Sequence, residues 1–460
     1  MDILPASRSV GAVRRPSPGR SPLPRHGHRP RVGRSLPCAR FASADPAFRP
    51  GSARARRRSS REPRGKATGG CLRVPNPIEE RPIPTPERLG PGTRFALAAL
   101  YIVANLPFAY KYPQRAGGHG LLAAALYVAF AITLWLAGPR LARACARRDR
   151  GGRAFAIVVV TAAITLALVM TRFDPAALRV TRYPAIRDWL DHLLHGRFPY
   201  ASAVLPSSFP VLFLIALPFH LIGNLGFLQI AAFGAFAWAC RRAARAHPET
   251  AWFALGLLLA APLFLYEVVT RSELFSNMTL VLLVLAWLEG RTRPAPAPWR
   301  GIVAGLLLST RGIVGLAYAV FLPWRFRDDR RSGLVVAAWC AATFVATLVP
   351  FILWDAHRFA QFGPFAIQLS YIPTPLLAGA FAVAIVWGSL ARSALQAWLG
   401  IVWALFGVIA ALFAWSIALQ GWTYILVQDD FDISYFAFAH TFLIWVVARF
   451  AAPAQEPGAA

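Results

Sequence analysis

What most limits the fold of this chain is a train of about a dozen apolar runs that begins at residue 95 and continues almost to the end. They fall at 95–110, 121–138, 154–171, 208–223, 225–240, 252–269, 274–289, 301–322, 334–354, 375–391, 397–419 and 433–450. Each approaches the roughly 17–25 residues that a bilayer-spanning helix requires. A chain of this kind has to satisfy its backbone inside lipid, and with helical segments this long it does so by forming helices. The expected fold is therefore all-α: a polytopic transmembrane helical bundle of about 10–12 membrane segments, occupying residues 95–450 and followed by a short tail, 451–460.

Residues 1–94 have a different character. They carry more than half of the net charge of +28 and many of the prolines, with little apolar periodicity. Such a segment buries too little apolar surface to offset its chain entropy, so a disordered Arg/Pro-rich tail is expected there. Its functional readings are a polybasic tail on an anionic leaflet or a targeting peptide. The competing reading is a stretch translated from a wrong upstream start, since Arg, Ala and Pro dominate while lysine occurs only at Lys66 and Lys111. The five cysteines, Cys38, Cys71, Cys145, Cys240 and Cys340, have no CxxC spacing, which argues against a disulfide framework and a zinc site. Outside the tail the basic residues cluster at helix ends, where orientation explains them better than nucleic acid does.

Those helix ends set the expected topology. The loop GPRLARACARRDRGGR and the basic tail both belong in the cytoplasm, so residues 172–207 fall outside it. Charge bias then favours reading 208–240 as one net crossing, which places RRAARAHPE and RTRPAPAPWR on the cytoplasmic face. That arrangement requires 301–322 to enter and leave on one face as two half-helices, as Gly305, Gly312 and Gly315 permit. Both termini are expected to be cytoplasmic.

The first outer loop holds the segment TRYPAIRDWLDHLLHGRFPYASAVLPSSFPVLF. Tyr183, Ile186, Trp189, Leu190, Leu193 and Leu194 recur at helical spacing on one face, opposite Arg187, Asp188, Asp191, His192 and His195. This predicts an interfacial amphipathic helix with its apolar face towards lipid. Further charge sits at YEVVTRSELFSN, DAHRFAQFGPFAIQLSYIP and QDDFDIS on the same side. Arg311, alone inside an apolar run, costs about 3 kcal/mol to insert and is a functional candidate on that ground, or a bridge to a carboxylate on a neighbouring helix.

In this order the motifs RYPAIRDWLDHLLHGRFPY, PSSFPVLFLIALPF, RSELFSNM, GLLLSTRGIVG and LVPFILWDAHRF, over about residues 150–370, resemble the GT-C superfamily of polytopic glycosyltransferases. The similarity is closest to its bacterial mannosyltransferase-like and arabinofuranosyltransferase-like branch. The resemblance implies a bacterial inner-membrane enzyme that moves a sugar from a polyprenyl-phosphate donor to a glycan, lipid or protein acceptor outside the cytoplasm. Such chemistry needs a carboxylate base and a cation for the departing phosphate. Relatives place the aspartate a few residues before the tyrosine matched by Tyr183, but Leu178, Arg179 and Val180 stand there, so Asp174 is the expected catalytic base. Substrate contacts are expected at Arg182, Tyr183, Asp188, Arg271, Glu273, Asn277, Arg311 and Asp355. The run Asp429, Asp430, Asp432 contains a DxD pattern, a weak metal signal because such relatives often need no metal; no cofactor is expected. Membrane lipid is an expected partner and nucleic acid is not. The alternatives are an O-antigen polymerase or ligase, a secondary transporter, for which no internal repeat is evident, and a membrane protein without catalysis.

Overall fold

The computed structural model describes residues 87–175, 181–290, 296–427 and 432–451. These belong to one unit spanning 80–460. The expected disorder of 1–94 lies outside them as far as residue 86, and the C-terminal tail lies outside them from residue 452. Among the described residues all regular structure is helical.

Three long helices come first: α1 (Pro91–Arg115), α2 (Gly120–Arg148) and α3 (Arg153–Arg172). The expected amphipathic segment forms α4 (Arg182–Leu194), followed by α5 (Pro210–Leu221), α6 (Phe227–Ala243), α7 (Pro248–Leu259), α8 (Pro262–Val269) and α9 (Leu274–Glu289). Next are α10 (Ala297–Leu308), α11 (Val314–Arg325), α12 (Arg330–Trp354), α13 (Ala356–Phe362) and α14 (Pro364–Tyr371). The chain then runs through α15 (Thr374–Leu390), α16 (Ala394–Gln420), α17 (Trp422–Val427) and α18 (Ala437–Phe450). Among the described residues, six helices are long and apolar enough to cross a membrane, or up to eight if each bent pair is one span. The chain is an integral membrane protein of the helical class.

Contacts between helix ends sort the bundle into two faces. On one, Arg241 of α6 reaches Asp149 between α2 and α3 at 3.7 Å. Arg449 of α18 forms a two-point ion pair with Glu289 of α9, and the Trp398 indole of α16 donates to the same carboxylate at 3.1 Å. Arg325 of α11 donates to the Leu288 carbonyl at 3.0 Å. The start of the described chain is fastened there too. The Leu89 amide donates to Phe450 O at 3.0 Å, and the Glu87 carboxylate accepts from the Leu395 amide at 2.7 Å, capping α16. We call this the basic face.

Helices α10 and α11 fold back on each other as a hairpin. The Arg300 guanidinium lies 6.0 Å from the centre of the Phe326 ring, so the first arm starts beside the end of the second. The Tyr318 hydroxyl ties the arms by donating to Ala304 O at 3.0 Å. Gly301 and Gly305 form a GxxxG stripe against α12, where a Cβ would run into the backbone of Val336 and Cys340. The carbonyls released at the hairpin tip are satisfied across the chain. Phe209 N donates to Thr310 O at 3.1 Å and Val211 N to Ser309 O at 3.0 Å. Irregular backbone at membrane depth survives only under such cover.

Two expectations change. The run 252–269 is not one straight helix: it breaks at Ala260–Ala261 with a bend of 62°. Pro262 cannot donate into a continuing helix, and α1 supplies the missing partners. Tyr101 donates its hydroxyl to Leu257 O at 2.8 Å, and Asn105 Oδ1 accepts from Leu263 N at 3.1 Å. Most of the apolar face of α4 is covered by protein, with Leu194 left exposed at its end. Ile186, Trp189 and Leu190 are buried, with the Trp189 ring stacked on Phe213 of α5 at 4.2 Å and tilted against Phe351 of α12 at 5.6 Å. Burial of each such side chain contributes about 1.5–3 kcal/mol, which pins α4 to the bundle.

Candidate functional site

On the face opposite the basic one, four separate stretches deliver ionisable side chains to a single buried cluster. The first is the turn between α8 and α9. Arg271 N donates to Val268 O and Ser272 N to Glu267 O, the paired bonds of a Schellman helix end, with Arg271 at φ 53° in the position that glycine normally takes. Among the described residues no other non-glycine residue has positive φ. A left-handed arginine costs about 1–2 kcal/mol of backbone strain. Glu267 stabilises the turn from inside: its Oε2 accepts from the Leu274 and Phe275 amides at 3.1 and 3.3 Å, capping the positive end of α9.

That turn projects two charges in different directions. Glu273 is buried and forms an ion pair with Arg311 at the hairpin tip. The Arg311 guanidinium also lies 5.8 Å from the Phe438 ring of α18. Burial pushes the Glu273 carboxyl up, but Arg311 and Arg182 together outweigh this and hold it below the usual carboxylate range. Arg271 points the other way. It donates to Met170 O at 3.2 Å and Phe173 O at 3.3 Å at the end of α3, and lies 5.5 Å from the Tyr183 ring. Gly226 leaves the room for this, since a Cβ there would meet Met170 and Arg271.

The remaining stretches are α4 and the segment before α18. Arg182, buried at the first turn of α4, meets Asp432 with Nη2 at 2.7 Å and Nε at 2.9 Å, and lies 4.7 Å from the Tyr435 ring. Burial raises the Asp432 carboxyl, while Arg182 and the Ser434 hydroxyl and amide lower it further, leaving it below the usual range. Burial works against the Arg182 cation, but Asp432 and Glu273 more than offset it. The cluster thus interleaves two arginines with three carboxylates.

The expected site residues divide accordingly. Arg182, Glu273 and Arg311 converge, with Arg271 and Tyr183 at the rim. Asn277 is fully buried one turn into α9, and neither of its side-chain polar atoms has a partner among the described residues. Asp174 is exposed at the end of α3, next to the Phe173 carbonyl that Arg271 holds. Two residues lie apart from the cluster in their contacts. Asp188 approaches Arg187 at 3.6 Å on the outer side of α4, and Asp355 caps α13 by accepting from Arg358 N at 2.9 Å. Of the DxD run, Asp429 and Asp430 lie outside the described residues, and Asp432 is engaged by Arg182. Sequence reasoning passed over Glu267 as an organiser of the site. A carboxylate within the apolar run LFLYEVV is as costly as Arg311 within its own, so the signal was present. Comparison with known proteins returns no matching family model, no matching curated protein and no matching solved structure.

Proposed function

We propose that this chain is a membrane glycosyltransferase, taking a sugar from a polyprenyl-phosphate donor and passing it to an acceptor hydroxyl on the face opposite the basic one. The observation that carries the reading is the convergence of Arg182, Glu273, Arg311 and Asp432 from four distant stretches of a chain that otherwise keeps charge at its helix ends. Burying several ions is costly unless they are paired or used. Arg271 is the residue we assign to the donor phosphate: it contacts neutral carbonyls and a ring instead of a carboxylate, and is only partly buried. A guanidinium offers two parallel donors to a phosphate. Asp174 is the assigned base. The acceptor oxygen attacks the anomeric carbon as its proton passes to Asp174, and the bond to the phosphate oxygen breaks with its electron pair leaving on the phosphate beside Arg271. Arg182 and Arg311 hold the carboxylates around this centre, and Asn277, fully buried one turn into α9, has unused hydrogen-bonding capacity. The expected site is the bacterial inner membrane, with both termini on the cytoplasmic side.

The test is transfer of label from a radiolabelled polyprenyl-phosphate sugar to extracted membrane acceptors by purified full-length protein in detergent. A labelled product lost in Arg271→Ala and Asp174→Asn supports the reading; no product with any sugar class defeats it. One observation favours a second reading, a secondary transporter: the bent α7–α8 pair and the α10–α11 hairpin are broken helices with charge at their ends. Transport leaves no product in micelles, so the same assay separates the two.

A further inference from the structure

The charge balance of the cluster does not close through its arginines. Arg311 pairs with Glu273 and Arg182 with Asp432, which leaves Glu267, fully buried, with no arginine in contact. Arg271 turns its guanidinium away, to the end of α3. One Glu267 oxygen accepts two backbone amides, and the other, Oε1, has no partner among the described residues. Its neighbours repeat the pattern. The Gln229 side chain reaches from α6 to the same turn, where Nε2 donates to Ser272 O, yet its own Oε1 is without a partner. The Ser272 hydroxyl, on the residue Gln229 grips, lies against the Glu267 carboxylate without a well-formed hydrogen bond. Gln229 and Ser272 are each 1% exposed. Three oxygens without a well-formed hydrogen bond around one closed turn, one of them on a carboxylate whose opposing charge, Arg182, is already paired with Asp432, cost several kcal/mol unless a cation or a proton sits among them.

We propose that the α8–α9 turn binds a monovalent cation of the sodium class, held by Glu267 Oε1, Gln229 Oε1 and the Ser272 hydroxyl. The donor set is oxygen only, as a hard cation requires. A single carboxylate neutralises one positive charge. The end of α8 contributes the negative pole of its dipole, and unwound backbone between half-helices is where membrane proteins place such ions. Closure of the site excludes anything as large as a sugar. The bound ion would lock the turn that holds Arg271 in its strained conformation.

The experiment measures thermal unfolding of the full-length protein in detergent, in sodium, potassium and choline chloride at constant ionic strength. A ligand that binds only the folded state raises Tm by mass action. Sodium is expected to raise Tm saturably over choline by roughly 3 °C or more. Glu267→Gln, which keeps the shape and removes the charge, and Ser272→Ala, a minimal change, should each fold and lose most of that shift. Equal Tm in all three salts overturns the site and leaves a proton to neutralise Glu267. A sodium shift that persists in both variants places the ion elsewhere and overturns it too.

Discussion

Arg271 separates the two demands that a residue can answer, since its backbone prefers glycine while its side chain is engaged. Arg271→Gly relieves about 1 kcal/mol of strain and forfeits hydrogen bonds of about the same worth each. Its expected effect on Tm is therefore small, while use of a polyprenyl-phosphate donor falls by about 10-fold or more; side-by-side unfolding and transfer measurements check this. Asp174→Asn is expected to cut turnover by about 100-fold, the scale of a lost general base, with donor affinity unchanged. Asp432 gives a pH prediction. Its folded carboxyl titrates below the ordinary carboxylate value near ~4, so its contribution is complete above that value and is lost only as pH falls through the lower folded one. Asp432→Asn should flatten the acid limb of Tm against pH. At this scale the sequence was readable where an arginine interrupts an apolar run, as at Arg311, or stands between two runs, as at Arg271. It was unreadable where the role depends on a distant partner: nothing near Arg182 announces Asp432, and nothing near Gln229 announces Ser272.

Among elements, the hairpin is the most exacting, because its first arm packs Gly301 and Gly305 directly against the α12 backbone. Gly305→Leu should destabilise the protein by about 2 kcal/mol or more through overpacking, seen as a lower Tm or loss of folded yield; Gly256, with open space around it, serves as the control position. Face assignment is tested by single cysteines in a cysteine-free background. Ala246 and Ala356 are both exposed, on opposite faces; an impermeant thiol reagent applied to intact cells should label position 356 and spare 246. The helices and the back-folded 301–322 pair were legible from hydropathy and glycine spacing. The break at Ala260 was not, because Pro262 lies in a run whose hydropathy never falters, and the compensation comes from Tyr101 and Asn105, more than 150 residues away. The destination of the α4 apolar face was hidden for a similar reason: periodicity reveals a face but not whether lipid or Phe213 covers it.

For the whole molecule, the contacts at residues 87–89 set how much of the basic segment is dispensable. Removing residues 2–86 should leave the folded helices intact. Extending the deletion through Leu89 strips the α16 cap and the bond to Phe450 O, for an expected loss of about 1–2 kcal/mol, read as Tm of the two truncated proteins. The pairing of α5 with the hairpin tip also limits how this protein moves. Sliding α5 alone would bare the Ser309 and Thr310 carbonyls, whereas carrying the tip along leaves both bonds whole. Helix α4 is coupled to α5 through the Trp189–Phe213 stack and through Asp191, 3.1 Å from His220. These three parts therefore travel as one plate, and any gating stroke must pivot at its edges instead of bending it.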